Sequence, residues 1–253
     1  MDKNLSVDSL SLALSFGLVL ISVFVSSKEK LGISKDILWS VVRAIIQLTI
    51  IGFILQYLFE LNNIWFTLLM CLFIISNASY HAHKRNPNPY KVFWHSFSAI
   101  FFSTSITLVI LVFSGSIQFI PGQMIAITGM IASNSMVGIG LCYKQMNTQF
   151  HDLRQQVLEK LALGAPIKLA SLAILQTSIK TAMQPTIDSA KTLGLVTLPG
   201  MMSGLIFAGV SPVHAIQYQI MVTFMLLSAT SIGSVLAGYF SYRKYFNERN
   251  QLN

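Results

Sequence analysis

The sequence predicts an all-α membrane protein with about seven transmembrane helices, its N-terminus outside the cytoplasm and its C-terminus inside. Of its 253 residues, 53% are hydrophobic and only 10% are charged, against about 25% charged in a typical soluble domain. Uncharged stretches of about 20 residues, the length that crosses a bilayer, recur along the chain. This composition excludes a soluble enzyme and a disordered chain.

Each predicted span comes from one of these stretches. Three stretches are long enough for one crossing each, and they cover residues 9–27, 37–59 and 63–80, of which the second is apolar except for Arg43 near its start. Residues 92–143 contain no Asp, Glu, Lys or Arg, and the turn-forming residues 114–122 divide them into spans at 93–113 and 122–142. Residues 192–242 are equally free of charge, and the break at 209–212 predicts spans at about 187–208 and 215–240. Glycine and polar residues interrupt the sixth of these seven spans.

The basic residues set the orientation, because Lys and Arg collect in cytoplasmic loops. With seven crossings, four segments fall on one side of the membrane, and the opposite side holds only Lys3 among basic residues. The four segments contain Lys28, Lys30 and Lys35; Lys84, Arg85 and Lys91; Lys144, Arg154, Lys160, Lys168 and Lys180; and Arg243, Lys244 and Arg249. The net charge of +8 therefore reflects topology and does not indicate nucleic-acid binding.

The segment between spans five and six, residues 144–184, predicts an amphipathic cytoplasmic helix-turn-helix. Phe150, Leu153, Val157 and Leu161 recur at helical spacing. The run from Leu163 to Pro166 ends this helix, because Gly164 suits a helix C-terminus and Pro166 suits the start of the next helix, at about 167–183. Two interpretations stay open: a rigid protrusion that transmits force from a soluble partner, or a helix that lies in the lipid headgroups.

Several sequence runs resemble the membrane permease subunit of the FetA–FetB type of iron-export ABC transporter, over nearly the whole chain. They are KEKL (28–31), KDILWS (35–40), RAIIQL (43–48), GMIA (129–132) with Asn134, DSAKT (188–192), LPGMMSGLIFAG (198–209) and YQIMVTFML (218–226). Plant relatives of this family are linked to aluminium tolerance, so the resemblance does not fix one substrate.

The resemblance implies a multi-pass permease of the bacterial inner membrane, one membrane domain over residues 1–253, that exports iron or a related metal. It implies a homodimer and a separate ATP-binding cassette subunit that uses the ATP. The chain contains no Gly-Lys dipeptide, which the phosphate-binding loop of many ATPases requires. We therefore expect that the chain is not an enzyme, binds no cofactor of its own and has the lipid bilayer as its surroundings.

The resemblance also implies a coupling site for the ATPase. Residues 159–166 are similar to the Glu-Ala-Ala…Gly signature of importer permeases, with Glu159-Lys160-Leu161 in place of Glu-Ala-Ala and Gly164 one residue early. The coupling residues implied are Glu159, Leu163, Gly164, Ala165 and Pro166.

Polar and small residues inside the predicted spans are candidates for the transport pathway or for helix packing. Asp188 and Lys191 stand three apart on one helical face, either as an ion pair at the cytoplasmic interface or as transport groups. Asn134 must find a partner on another helix or in a cavity. The Gly200–Gly204 pair has the spacing of a helix-packing motif. Met130, Met136, Met201 and Met202 are either apolar filling or soft metal ligands, and no metal ligand is assigned.

Three alternatives remain at this stage. The chain is a scaffold or stress-response partner of an ATPase, or it transports a solute other than a metal. A carrier driven by an ion gradient is the third, and it requires a carboxylate deep in the membrane, for which only Asp188 is available.

Overall fold

A computed structural model describes residues 9–61, 63–86 and 92–252, so Lys3 and Lys91 of the orientation argument lie outside the described residues. The described chain is helical almost throughout, with two isolated bridges, Leu193 with Thr197 and Phe246 with Leu252, in place of any sheet. Its α-helices are α1 (Ser9–Ser15), α2 (Gly17–Lys28), α3 (Ser34–Leu61), α4 (Ile64–Lys84), α5 (Phe93–Phe113), α6 (Pro121–Asp152), α7 (Arg154–Ala162), α8 (Ile167–Thr192), α9 (Gly200–Phe207) and α10 (Pro212–Ser241).

Five helices of the described chain are long and apolar enough to cross a membrane. They cover Ser34–Tyr57, Ile64–Lys84, Phe93–Phe113, Pro121–Asp152 and Pro212–Tyr245. These are the predicted spans two to five and seven, and the predicted first span corresponds to α1 and the shorter apolar helix α2. The all-α membrane class is therefore confirmed, whereas the count of seven and the orientation stay predictions.

The predicted sixth span is wrong as one continuous helix over 187–208. Helix α8 ends at Thr192, and α9 begins only at Gly200 and has eight residues, which extend about 12 Å and cannot cross a bilayer. The helix stops because the Thr192 carbonyl accepts hydrogen bonds from the amides of residues 195–197 (3.0–3.3 Å). Gly194 supports this turn with a φ of +79°, a backbone angle that residues other than glycine rarely adopt.

Three helices, α6, α8 and α10, form the centre of the bundle. Ser135 of α6 donates a hydrogen bond to the Ala229 carbonyl of α10 (3.3 Å), and the Cys142 thiol lies 3.9 Å from the Ser234 carbonyl. These two helices therefore run parallel with their backbones close together. A Cβ added at Gly138 would lie 2.8 Å from the Thr230 side chain, so a glycine is required for this approach.

Helix α8 runs antiparallel to both neighbours. Its Ile179 contacts Gly238 and its Thr186 contacts Thr230, so rising numbers in α8 meet falling numbers in α10. Helices α4 and α5 close the bundle, with a hydrogen bond between Ser96 and Tyr143 (3.0 Å) as one buried link from α5 to α6. By contrast, no side chain of Ser34–Tyr57 in α3 is buried, so α2 and α3 lie at the periphery.

The end of α6, helix α7 and the C-terminal residues pack into one apolar corner. Phe150 stacks on Tyr245 with ring centroids 4.3 Å apart, and Val157, Phe246 and Leu252 are buried beside them. The predicted helix through Phe150 and Leu161 is interrupted at Leu153, where α6 ends and α7 begins. The apolar face itself is as predicted, because Phe150 and Val157 still point into the same cluster.

Candidate functional site

The candidate site is the break between α8 and α9, where a cavity of about 310 Å³, largely apolar but with several polar side chains in its wall, opens beside α6 and α10. The residues that line it come from all three central helices and from the break itself. Its polar side chains are Asn134, Thr186, Ser189, Gln219 and Thr223, and Pro185, Leu193 and Pro199 are among the apolar ones. Polar side chains among apolar helices are expected where irregular backbone lines a water-filled space.

Two amide side chains face this cavity with incomplete hydrogen bonding. Asn134 donates through Nδ2 to the Met130 carbonyl one turn earlier (2.9 Å), which fixes the side chain without using its oxygen. The Oε1 atom of Gln219 is buried and has no hydrogen-bond donor among the described residues. A buried carbonyl oxygen without a donor is costly, so an uncompensated polar group lies beside the cavity.

Asp188 and Lys191 form the ion pair that their spacing predicts, with Lys191 Nζ 3.4 Å from Asp188 Oδ1. Gln184 Nε2 lies 2.9 and 3.0 Å from the two carboxylate oxygens and holds the carboxylate from one turn below. The side chains of Asp188 and Lys191 are 54% and 67% exposed. Both residues lie on the face of α8 that points away from the cavity, so the structure does not bring them together with Asn134.

The position of Asp188 along the bundle follows from its neighbours on α8. Thr186 donates a hydrogen bond to Thr230 (3.4 Å), which lies in the middle third of α10. Asp188 is two residues, or about 3 Å, further along the same helix. Because α10 is a candidate span, Asp188 is level with the middle of that span and not with its end.

The four candidate methionines do not converge on one site, although Met201 and Met202 are adjacent in α9. Met130 and Met201 pack against an apolar cluster that includes Ile127 and Val222. Met136 lines a gap between α3, α4 and α6, and Met202 is partly buried in α9. No group of three or more His, Cys, Asp or Glu residues that would hold a metal ion occurs in the part of the chain that is described.

The predicted packing glycines, Gly200 and Gly204, do not pack within one chain, because a Cβ added at either would meet no atom within 4 Å. A role at a contact between two copies stays a prediction. The glycines that do permit close helix contacts are Gly138, Gly233 and Gly238. The site residues predicted from the sequence do not include Gln219 and Thr223 of α10, although both line the cavity.

The predicted coupling residues form a tight turn between α7 and α8. Gly164, with a φ of +85°, donates from its amide to Leu161, and Ala165 donates to Lys160 (both 3.0 Å). Pro166 is the residue that caps α8, and Leu163 projects from the turn with 88% of its side chain exposed. Glu159 is exposed and accepts a hydrogen bond from Gln155 (3.2 Å).

A second cavity, of about 490 Å³, lies between this turn and the C-terminal residues. Gly164, Ala165 and Pro166 line one wall, and Arg249, Asn250 and Gln251 line the other. The guanidinium of Arg154 lies 3.5 Å from the Leu252 carbonyl and ties α7 to the same residues. The turn is therefore an exposed feature beside a cavity, and α7 links it to the C-terminal residues.

Comparison with known proteins assigns the chain to a family. A family model described as "Uncharacterised protein family (UPF0014)" matches residues 9–246. The chain is 54% identical over 249 residues to the "Probable iron export permease protein FetB" of Escherichia coli (strain K12), covering 98% of this chain and 95% of that protein. It is 35% identical to the "UPF0014 membrane protein YjkA" of Bacillus subtilis (strain 168), covering 97% and 98% of the two chains.

A plant relative is also similar, the "Protein ALUMINUM SENSITIVE 3" of Arabidopsis thaliana, at 35% identity over 92% of this chain and 86% of that protein. No solved structure matches the chain. The chain belongs to the UPF0014 family of membrane proteins and resembles its FetB-type permeases.

Proposed function

We propose that this chain is the membrane subunit of an ABC-type exporter, which moves iron or a related metal out of the cytoplasm with ATP hydrolysed by a separate subunit. The observation that carries the proposal is the interrupted α8–α9 segment, with a cavity that contains polar side chains on one side and Asp188 on the other, among largely apolar helices. The name of the E. coli relative, a probable iron export permease, supports iron as the first substrate to test.

The interrupted segment supports alternating access. Helix breaks near the membrane centre place polar backbone groups beside a substrate and provide a hinge. The turn at Gly194 is such a break, and Pro185 within α8 lies close to it. Pro121 at the start of α6 and the Gly164–Pro166 turn before α8 are hinge points at helix ends. In this proposal α6 and α8 form the wall of the pathway, and movement of α8 against α6 opens it to one side and then the other.

In the same proposal, the basic segments place the C-terminus and the α7–α8 turn in the cytoplasm of a bacterial cell, at its inner membrane. The turn then faces the ATP-binding subunit, and two copies of the permease form the transporter. The absence of a Gly-Lys dipeptide supports an ATPase site on another chain.

Transport is tested in vesicles that contain the permease and a candidate ATP-binding cassette ATPase from the same organism, with the ATPase facing the bath. Because the cytoplasmic side of the permease then faces the bath, export is measured as ATP-dependent uptake of Fe²⁺ into the vesicles. Mn²⁺ and Al³⁺ are tested as further substrates. We expect uptake with the unaltered chain and with the control variant Asp36→Asn, which alters an exposed carboxylate at the start of α3. We expect at least a tenfold slower uptake with Asp188→Asn, because a neutral amide binds a cation more weakly. ATPase binding without movement of any metal would favour a scaffold or a non-metal substrate.

Coupling is tested at two leucines that are equally exposed at opposite ends of α8. Leu163 in the α7–α8 turn is 88% exposed, and Leu195 in the α8–α9 break is 89% exposed. We expect Leu163→Asp to abolish co-purification of the ATPase, because a charge replaces an apolar contact, whereas Leu195→Asp leaves it unchanged. Equal co-purification of the two variants would contradict the proposed docking site.

The depth of Asp188 also favours a second candidate, a carrier in which this carboxylate takes up a proton. That carrier needs no ATPase. The same vesicles distinguish the two candidates, because a pH gradient without ATP moves metal only through a gradient-driven carrier.

A further inference from the structure

Helix α8 carries a polar stripe on the side opposite its packed face. The stripe consists of six exposed residues spaced three or four apart, apart from one adjacent pair: Gln176, Thr177, Lys180, Gln184, Asp188 and Lys191. Residues at this spacing lie along one side of a helix. The other side is apolar or small and is buried against α6 and α10, through residues such as Ile174, Ser178 and Ala182. Helix α8 is thus amphipathic from Gln176 onward.

The stripe lies beside helices that span the membrane, and not beyond their ends. Ile179 contacts Gly238 of α10, and Thr186 contacts Thr230. In the orientation proposed above, Lys180 and Gln184 are therefore level with the cytoplasmic half of α10. Asp188 is level with the middle of α10. A charge exposed to lipid at this depth costs about 2.5–3.5 kcal/mol on insertion scales. The stripe consequently requires water or a polar surface in place of lipid.

One chain does not provide a complete metal site at this stripe. Between residues 64 and 143 and between 167 and 241 the sequence contains a single carboxylate, Asp188. Its partners in one chain are the Gln184 amide and the Lys191 ammonium. The Gln184 oxygen and the Asp188 carboxylate are two oxygen donors, whereas Fe²⁺ and Mn²⁺ are held by larger sets of oxygen or imidazole ligands. A copy of the same helix would double this set.

The charges of the stripe suit a second copy of the chain. In a contact with two-fold symmetry, residues near the axis meet their own equivalents, and each contact occurs twice. A contact centred near Asp188 brings two carboxylates together and places a Lys191 on each side. Two carboxylates at short distance repel one another unless a proton or a cation lies between them. The arrangement is therefore stable with a divalent cation on the axis, and Lys191 neutralises each carboxylate when the cation has left.

We propose that the α8 stripes of two copies face each other, and that Asp188 and Gln184 from both copies form one shared site for a divalent metal cation. This inference rests on the proposed function and adds to it the partner, the ligands and the stoichiometry of the site. The cavity at the α8–α9 break lies behind each stripe and gives α8 space to move when the shared site opens.

The facing stripes are tested by disulfide cross-linking of the full chain in membranes, together with its ATPase. The two native cysteines are buried and are replaced by alanine. Single cysteines then replace Thr177, Gln184 or Asp188 in the stripe. Controls replace Val109 of α5 or Leu69 of α4, which are 52% and 66% exposed and face lipid in this proposal. A disulfide requires Cα atoms within about 7 Å, so we expect cross-linked dimers from stripe positions alone. Dimers that form at the control positions and not at the stripe overturn the inference.

The shared site is tested on the protein with its native cysteines, which removes any effect of the cysteine replacements on folding. Equilibrium binding of Mn²⁺ to the purified permease is measured in lipid nanodiscs. We expect one ion for two chains, at least tenfold weaker binding for Asp188→Asn, partial recovery for Asp188→Glu and no change for Asp36→Asn. One ion for each chain, or unchanged binding by Asp188→Asn, overturns the shared site.

These results are separable from the proposed function. Stripe cross-links and one Mn²⁺ for two chains, without ATP-driven metal movement, would leave the shared site intact and contradict the exporter. ATP-driven movement with one ion for each chain would support the exporter and overturn the shared site.

Discussion

The two halves of the uncharged region 192–242 have similar composition and different structures. Its second half forms α10, an uninterrupted helix of 30 residues. Its first half forms a turn, an extended stretch and the eight-residue helix α9. Both halves contain glycine, but Gly233 and Gly238 of α10 permit close contact with other helices, whereas Gly194 permits a positive φ. An apolar composition thus predicts that a segment lies in the membrane, but it does not predict that the segment is one helix.

The largest effect is expected where glycine permits contact between central helices. A Cβ at Gly138 of α6 would lie 2.8 Å from Thr230 Cγ2 and 3.1 Å from Ser234 Oγ. We expect Gly138→Val to lower the free energy of unfolding by about 1–3 kcal/mol, the usual cost of overfilling a packed site. The control is Gly129→Val on the same helix, where a Cβ meets nothing within 4 Å.

Thermal unfolding of both variants in one detergent, followed by tryptophan fluorescence, measures this difference. The unfolding temperature of Gly138→Val should fall several degrees below that of Gly129→Val. Equal unfolding temperatures would mean that α6 and α10 are not held as closely as their contacts indicate.

The sequence was sufficient for most of the fold because most of the chain follows two simple rules. Apolar length predicted α3 to α6 and α10, and Gly164 with Pro166 predicted the turn between α7 and α8. The sixth span was misplaced because α8 carries Lys180, Asp188 and Lys191, which lower its apolar character. The predicted span is centred on the apolar residues Leu195 to Leu198, but these lie in the non-helical stretch between α8 and α9.

The candidate site was predictable only in part, for a related reason. Asn134, Asp188 and Lys191 were recognised because amides and charges are rare in lipid. Gln219 and Thr223 of α10 belong to the same cavity as Asn134, but the sequence alone does not show which faces of α6 and α10 meet. That pairing depends on the fit of small residues across the two helices, which only the three-dimensional arrangement reveals.

An intermediate effect is expected from the glycines on either side of the break, and its sign should differ between them. Gly194 has a φ of +79°, whereas Gly204 is helical, and an added Cβ meets nothing within 4 Å at either position. We expect Gly194→Ala to cost about 1–2 kcal/mol, because the left-handed conformation strains other residues. Gly204→Ala should stabilise α9 by about 0.5–1 kcal/mol.

Unfolding temperatures of the two alanine variants and the unaltered chain, compared in the same detergent, measure both changes. The Gly194 variant should unfold at a lower temperature than the unaltered chain, and the Gly204 variant at a slightly higher one. A stabilised Gly194 variant would indicate that the break is not the preferred conformation and that α8 and α9 join into one helix.

The smallest effect is expected where α8 is attached to α10 by its hydroxyl groups. The Thr186–Thr230 hydrogen bond is long, at 3.4 Å, and partly exposed, whereas the Ser96–Tyr143 hydrogen bond between α5 and α6 is buried and measures 3.0 Å. A buried hydrogen bond contributes about 0.5–1.5 kcal/mol, so Tyr143→Phe should cost about 1 kcal/mol. We expect Thr186→Val to cost less than about 0.5 kcal/mol.

If Thr186→Val were the more damaging change in the same unfolding measurement, α8 would be fixed to α10 as firmly as α5 is to α6. A helix fixed in that way would be poorly suited to move against its neighbours as the proposed pathway requires.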